Sequence, residues 1–164
     1  MPSPRARRNP RRTLTRLVGA PCLVATTAGL AVALTPQVAQ ASTYTDASVV
    51  VNTINADRAW FHLAPLSVSP ALSSYAMQHA QSMAAAGGIF HSASLLYVGA
   101  VVPGWSRLGE NVGAGPNVAA VENAFNHSPE HLSNMLGAYD VVGIGVAYSG
   151  AYVYITEEFA EVPL

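Results

Sequence analysis

Apolar and polar positions along the chain change period three times. From Asp46 to about Phe61, Val50, Ile54 and Phe61 recur at helical spacing, while Asn55 and Arg58, three apart, share a second face. Ser69-Pro70 is an N-cap followed by proline at the first helical position, and it opens a second helix. Leu72, Ala76, His79, Ala80 and Met83 form the apolar stripe of that helix, and Gly87-Gly88 stops it. Residues 92–116, rich in glycine, read as irregular. Asn117 caps a third helix carrying Val118, Val121 and Phe125, and Ser128-Pro129 opens a short fourth with Leu132, Met135 and Leu136.

The tail alternates. Val142, Ile144, Val146 and Tyr148 interleave with Gly143, Gly145 and Ala147, and a second alternating run follows Ser149-Gly150 from Tyr152 to Thr156. Two such runs across a short turn predict a β-hairpin. Glycines on one face predict a helix lying close against it. Helices first and a hairpin last define an α+β layered domain.

The first forty residues are of another kind. Six arginines precede position 17, Leu17 to Leu34 is uncharged, and Ala39-Gln40-Ala41 has the small-residue pattern of an export cleavage site. Residues 1–41 are therefore expected to be a signal peptide, with 42–164 the mature domain, secreted and without a membrane span once the leader is removed. The Arg11-Arg12 pair also allows the twin-arginine route beside the general one. Cys22, the single cysteine, lies within this leader, so the mature chain is expected to have no disulfide, zinc–thiolate site or cysteine nucleophile.

Charge narrows the function. The whole 164-residue chain has net charge −1, but from Ser42 onward two arginines face nine acids, a balance of −7, and there is no lysine. Such a surface excludes nucleic acid as a partner. About 120 residues suit one domain with its own core.

The residues that carry chemistry are scattered. His91 follows the second helix, Glu110-Asn111 lies in the glycine-rich stretch, and His131 falls in the first turn of the fourth helix after Ser128. Imidazoles and a carboxylate can hold a cation or move a proton, yet gaps of nineteen and twenty-one residues match no local metal motif. Among the rest, His79 reads as a core histidine, His62 as a helix C-cap and His127 as an exposed helix-end residue. Tyr148, Tyr152 and Tyr154 read as half-buried strand residues, and Glu157, Glu158 and Glu161 as a solvated acidic edge. The segment from Leu95 to Trp105 offers an apolar patch or a cover for the core.

Taken in order, Asn55…Arg58…Pro65-Leu66, the Gly-Gly-x-x-His91-Ser92 ending, Gly109-Glu110-Asn111, Ser128-Pro129-x-His131-x-x-Asn134 and Val-Gly-Ile-Gly-Val resemble the CAP superfamily. That superfamily contains cysteine-rich secretory proteins, venom antigens and plant pathogenesis-related proteins. The resemblance covers about 49–160. It implies a three-layer α-β-α sandwich, an antiparallel sheet flanked by helices, with a shallow cleft. In that cleft His91, His131 and Glu110 would hold a divalent cation, zinc or calcium, with Ser128 and Asn111 beside them. Ser128 stands where many relatives have a second glutamate, which removes one anionic ligand. Phe125, Glu130 and Leu132 also depart from the residues usual in bacterial relatives. The function implied is a monomeric, non-catalytic module that binds a ligand such as a lipid or a cell-wall component. The alternative is a secreted hydrolase, a peptidase or esterase, using the same cleft.

Overall fold

The computed structural model describes residues 36–162, with side chains from Ser42 onward. The leader reading rests mostly on residues outside this range. The first helix, α1, runs Pro36–Trp60 and so begins ten residues before the expected Asp46, passing through Ala41. After a two-residue strand β1 (Ser67–Val68) come α2 (Pro70–Ala86), the short α3 (Leu96–Ala100), β2 (Arg107–Gly115), α4 (Val118–Asn126) and α5 (Pro129–Met135). The hairpin β3 (Val141–Ser149) and β4 (Tyr152–Glu161) closes the chain.

The caps work as their chemistry requires. Ser69 accepts the Leu72 N–H, Asn117 the Ala120 N–H and Ser128 the His131 N–H, each from an extended backbone. Gly87 ends α2 in the left-handed conformation at φ 69°, and His62 adopts φ 59° just past α1.

The sheet order is β1-β3-β4-β2. β4 pairs antiparallel with both β3 and β2, whereas β1 joins β3 in parallel through Ser67 and Val68 only. Helices cover both faces. Gly143 and Gly145 lie so close to α2 that an added Cβ would sit 2.3 Å from the Leu72 backbone and 2.1 Å from the Ala76 carbonyl oxygen. On the opposite face, Val50 and Ile54 of α1 and Val121 and Phe125 of α4 meet Ile144, Val146, Ile155 and Phe159 in the larger core. Asn55 and Arg58 tie α1 down. Asn55 exchanges two hydrogen bonds with the Leu66 backbone, and buried Arg58 donates to the carbonyls of Ala64, Met135, Gly137 and Tyr139.

Three expectations are corrected, and one left open is settled both ways. Residues 92–116 are not irregular: they contain α3 and the nine-residue β2. The Leu95–Trp105 segment is divided, with Val98 and Val102 in the core while Leu96 and Tyr97 face solvent. Glu157 and Glu158 are fully buried rather than on a solvated edge, because β4 is a central strand covered on both faces. Tyr148 and Tyr152 are exposed, and of the three tyrosines only Tyr154 is buried.

Candidate functional site

Glu110 and Asn111 are neighbours on β2, so strand geometry sends their side chains to opposite faces of the sheet. Glu110 points to the α2 face. Its Oε1 lies 2.6 Å from His91 Nδ1 and accepts the Ser92 N–H at 2.9 Å, and its Oε2 accepts the same N–H at 3.2 Å. The Ser92 hydroxyl lies 3.1 Å from the Tyr75 hydroxyl of α2. The carboxylate is buried, at 2% side-chain exposure, while the imidazole it holds is 65% exposed. Nδ1 donates to the carboxylate, and Nε2 of His91 turns away from Glu110.

Opposite Glu110 on β4 stands Glu158, its direct cross-strand partner. Burial, and then the Glu110 charge, push the Glu158 carboxyl up to about 10, so it is neutral at pH 7. No N–H or hydroxyl donor reaches either of its oxygens, as suits a protonated acid that donates to Glu110. Burial works against the Glu110 anion. Bonds with Ser92, His91 and Glu158 outweigh it and hold the Glu110 carboxyl below the usual range.

Asn111 builds the other face. Its Nδ2 donates to Glu157 Oε2 at 2.8 Å and to the His131 carbonyl at 3.1 Å, and its Oδ1 accepts from Asn134 at 2.8 Å. Asn134 also donates to the Glu110 carbonyl at 3.1 Å. This net fixes α5, and with it His131, against β2. The His131 ring packs on Phe125 with centroids 4.7 Å apart, and its Nδ1 is buried without a partner. Burial first and the nearby His91 second lower the His131 pKa, so the imidazole stays neutral. Ser128 caps α5 and donates to Glu130 at 3.0 Å, so its hydroxyl is committed.

His91 and Glu110 are thus bonded, His91 is near enough to help lower the His131 pKa, and Asn111 and Ser128 support α5. The other histidines serve locally. His79 is half-buried, 2.8 Å from the Phe90 carbonyl oxygen, and His127 lies 2.7 Å from the Asn123 carbonyl oxygen at the end of α4. Sequence reasoning overlooked Glu158 as a member of the site. The signal was its place in an alternating run that continues through Phe159, which marks a strand rather than a tail.

For a cation the fit is partial. Among the described residues no three His, Cys, Asp or Glu side chains are grouped to enclose a metal ion. Both Glu110 oxygens already accept hydrogen bonds. What the arrangement offers is two imidazoles, that of His131 neutral and that of His91 oriented by a carboxylate. Nitrogen donors suit zinc, and calcium requires a shell of oxygens.

Comparison with known proteins agrees with this architecture. The model of the cysteine-rich secretory protein family, CAP, matches residues 51–159, so the chain belongs to that family. Among solved structures it is similar to an outer surface protein of Borrelia burgdorferi, at 17% identity over 73% of this chain and 94% of the other, with a TM-score of 0.66. It is also similar to an extracellular SCP-domain protein of Bacillus anthracis, at 20% identity, TM-score 0.68, covering 78% of this chain and 44% of that one. A cysteine-rich secretory protein of Staphylococcus aureus matches at 22% identity, TM-score 0.60, over 73% of this chain and 39% of its own. Identities this low establish the shared fold. No curated protein sequence matches the chain.

Proposed function

We propose that the chain is an exported CAP module that binds a ligand without transforming it, through the cleft formed by His91, Glu110 and His131. The observation that supports this most directly is the buried Glu110 carboxylate holding an exposed imidazole at 2.6 Å. In this reading a divalent cation, zinc rather than calcium, is held by the imidazoles of His91 and His131, and Glu110 orients His91 instead of ligating. The bound cation would offer a Lewis-acidic contact to an anionic or carbonyl group of the ligand. Export rests on the leader, with cleavage after Ala41, so N-terminal sequencing of the secreted form should begin at Ser42. Among the described residues no helix is long and apolar enough to cross a membrane.

Thermal unfolding with added metal tests the cleft. Zinc should raise the midpoint of the wild type and leave His91→Ala unmoved, because a ion that binds only the folded state stabilises it by mass action. Equal shifts in both proteins, or none in either, would overturn the reading. A second reading, hydrolysis, draws on the same pair, since a carboxylate-oriented imidazole is the arrangement of a general base. Against it, the Ser128 hydroxyl is spent on Glu130 and the Ser92 hydroxyl on Tyr75, so neither stands as a nucleophile bonded to His91. Turnover of peptides or esters that is lost in His91→Ala would favour this second reading.

A further inference from the structure

The link between α2 and β2 turns apolar side chains to solvent from a backbone that is firmly held. Between Gly87 and Ser106 no Asp, Glu, Lys or Arg occurs, in a domain whose net charge from Ser42 onward is −7. Ile89 and Phe90 before His91, Leu95, Leu96 and Tyr97 at the start of α3, and Trp105 before β2 are all exposed, Leu96 at 67% and Tyr97 at 61%. Yet the segment is anchored along its length. The Phe90 carbonyl oxygen lies 2.8 Å from His79 Nε2, and the Ser92 N–H bonds to Glu110. Val98 and Val102 pack with Leu72 and Ala160, and the Ser106 N–H donates to the Glu161 carbonyl at 2.9 Å. The Trp105 indole lies against Gly99 of α3, where a Cβ would not fit. An ordered frame thus holds apolar side chains outward, at a cost in hydration that folding alone does not recover.

The chemistry of the segment defines what it meets. Without charge of its own, it offers no acid to a basic partner, and the acidic domain behind it repels an anionic surface. Its polar groups are already spent. The Ser92 hydroxyl meets Tyr75 and Ser94 accepts the Leu96 N–H, so little remains to orient a protein partner by the hydrogen bonds usual between proteins. Aliphatic side chains combined with Phe, Tyr and Trp are the mixture that partitions into the boundary between lipid headgroups and acyl chains. The hollows beside α1 and α2 are lined by none of these residues, so the patch is not a wall of either.

We infer that residues 89–105 are a membrane-docking surface, which seats the module on a zwitterionic lipid bilayer with Leu96 and Tyr97 entering the headgroup boundary. This goes beyond the cleft reading and needs no bound cation, although it brings the exposed His91 ring to headgroup level.

The probe is a phosphatidylcholine vesicle added to the secreted protein, its leader removed. The protein should co-sediment saturably with the vesicles, equally well in high salt and after chelation of metals, and more weakly when phosphatidylglycerol replaces part of the lipid. Leu96→Glu and Tyr97→Glu, both at exposed positions, should each weaken binding at least about ten-fold and leave the unfolding midpoint unchanged. Trp60→Phe, at an exposed position ending α1, leaves Trp105 as the single tryptophan. Its emission should shift to the blue with vesicles and be quenched by lipid brominated on the acyl chain. Absence of co-sedimentation, binding that survives both glutamate variants, preference for the anionic vesicles, or a Trp105 that bromine does not quench would each overturn the inference. Self-association through this patch in place of vesicle binding would do the same. The zinc titration, which tests the cleft, is independent of these results.

Discussion

Replacing Glu157 by glutamine should make the protein more stable at pH 8 and leave it unchanged at pH 4. Glu157 is fully buried on the face of the sheet covered by α1 and α4. Its Oε2 accepts from Asn111, and its carboxyl shares a hydrogen bond with the neutral Glu122 carboxyl, which also faces the charge of Asp57. The buried arginine, Arg58, spends its donors on backbone carbonyls instead. Burial pushes the Glu157 carboxyl up to about 7, although the bonds from Asn111 and Glu122 oppose this. Burial, Glu157 and Asp57 push Glu122 up to about 9.

These are carboxyls whose folded pKa lies above the unfolded value. The folded state binds more protons across the interval, so stability is greatest below about 4.5 and is lost as pH rises through the folded pKa values. For Glu157 alone the loss is at most about 3 kcal/mol, at about 1.4 kcal/mol per pH step. Glutamine keeps an oxygen for Asn111 and removes the ionisation. Urea unfolding of wild type and Glu157→Gln at pH 4, 6 and 8 should show midpoints that coincide at pH 4 and diverge as pH rises. The variant should gain up to about 3 kcal/mol at pH 8, or roughly 10 °C in Tm for a domain of this size. A gain that is the same at every pH, or wild-type stability that is flat from pH 4 to 8, would refute the reasoning.

Other substitutions probe the packing. Gly145→Ala places a methyl group against the α2 backbone and should cost about 1–3 kcal/mol by forcing helix and sheet apart, measured by the same unfolding curves. Arg58→Met leaves buried carbonyls of Met135 and Tyr139 without their donor and should cost about 3 kcal/mol, with faster amide exchange in the loop after α5.

How much of this was readable beforehand depended on whether the signal was local. The caps at Ser69, Asn117 and Ser128 satisfy donors within three residues of themselves, so the helices they open were visible in the chain. The hairpin and the close approach of a helix were visible too, because alternation and its glycines lie in one short segment. β2 was hidden. Its glycines and Glu110-Asn111 have poor intrinsic strand character, and it is a strand because β4 pairs along its whole length. Glu157 and Glu158 were misplaced for the related reason that two adjacent acids ordinarily lie in water.

Sequence by itself determined the class of fold, the four longer helices and the closing hairpin, since these depend on periodicity, capping and composition. Only the tertiary structure decided that Glu110 grips His91, that Glu158 stands behind it, and that His131 approaches from the other side of β2. Those relations arise from strand register and from burial on both faces of β4. Register couples residues far apart along the chain, and burial turns ordinary carboxyls into neutral ones, so neither effect can be read from local pattern.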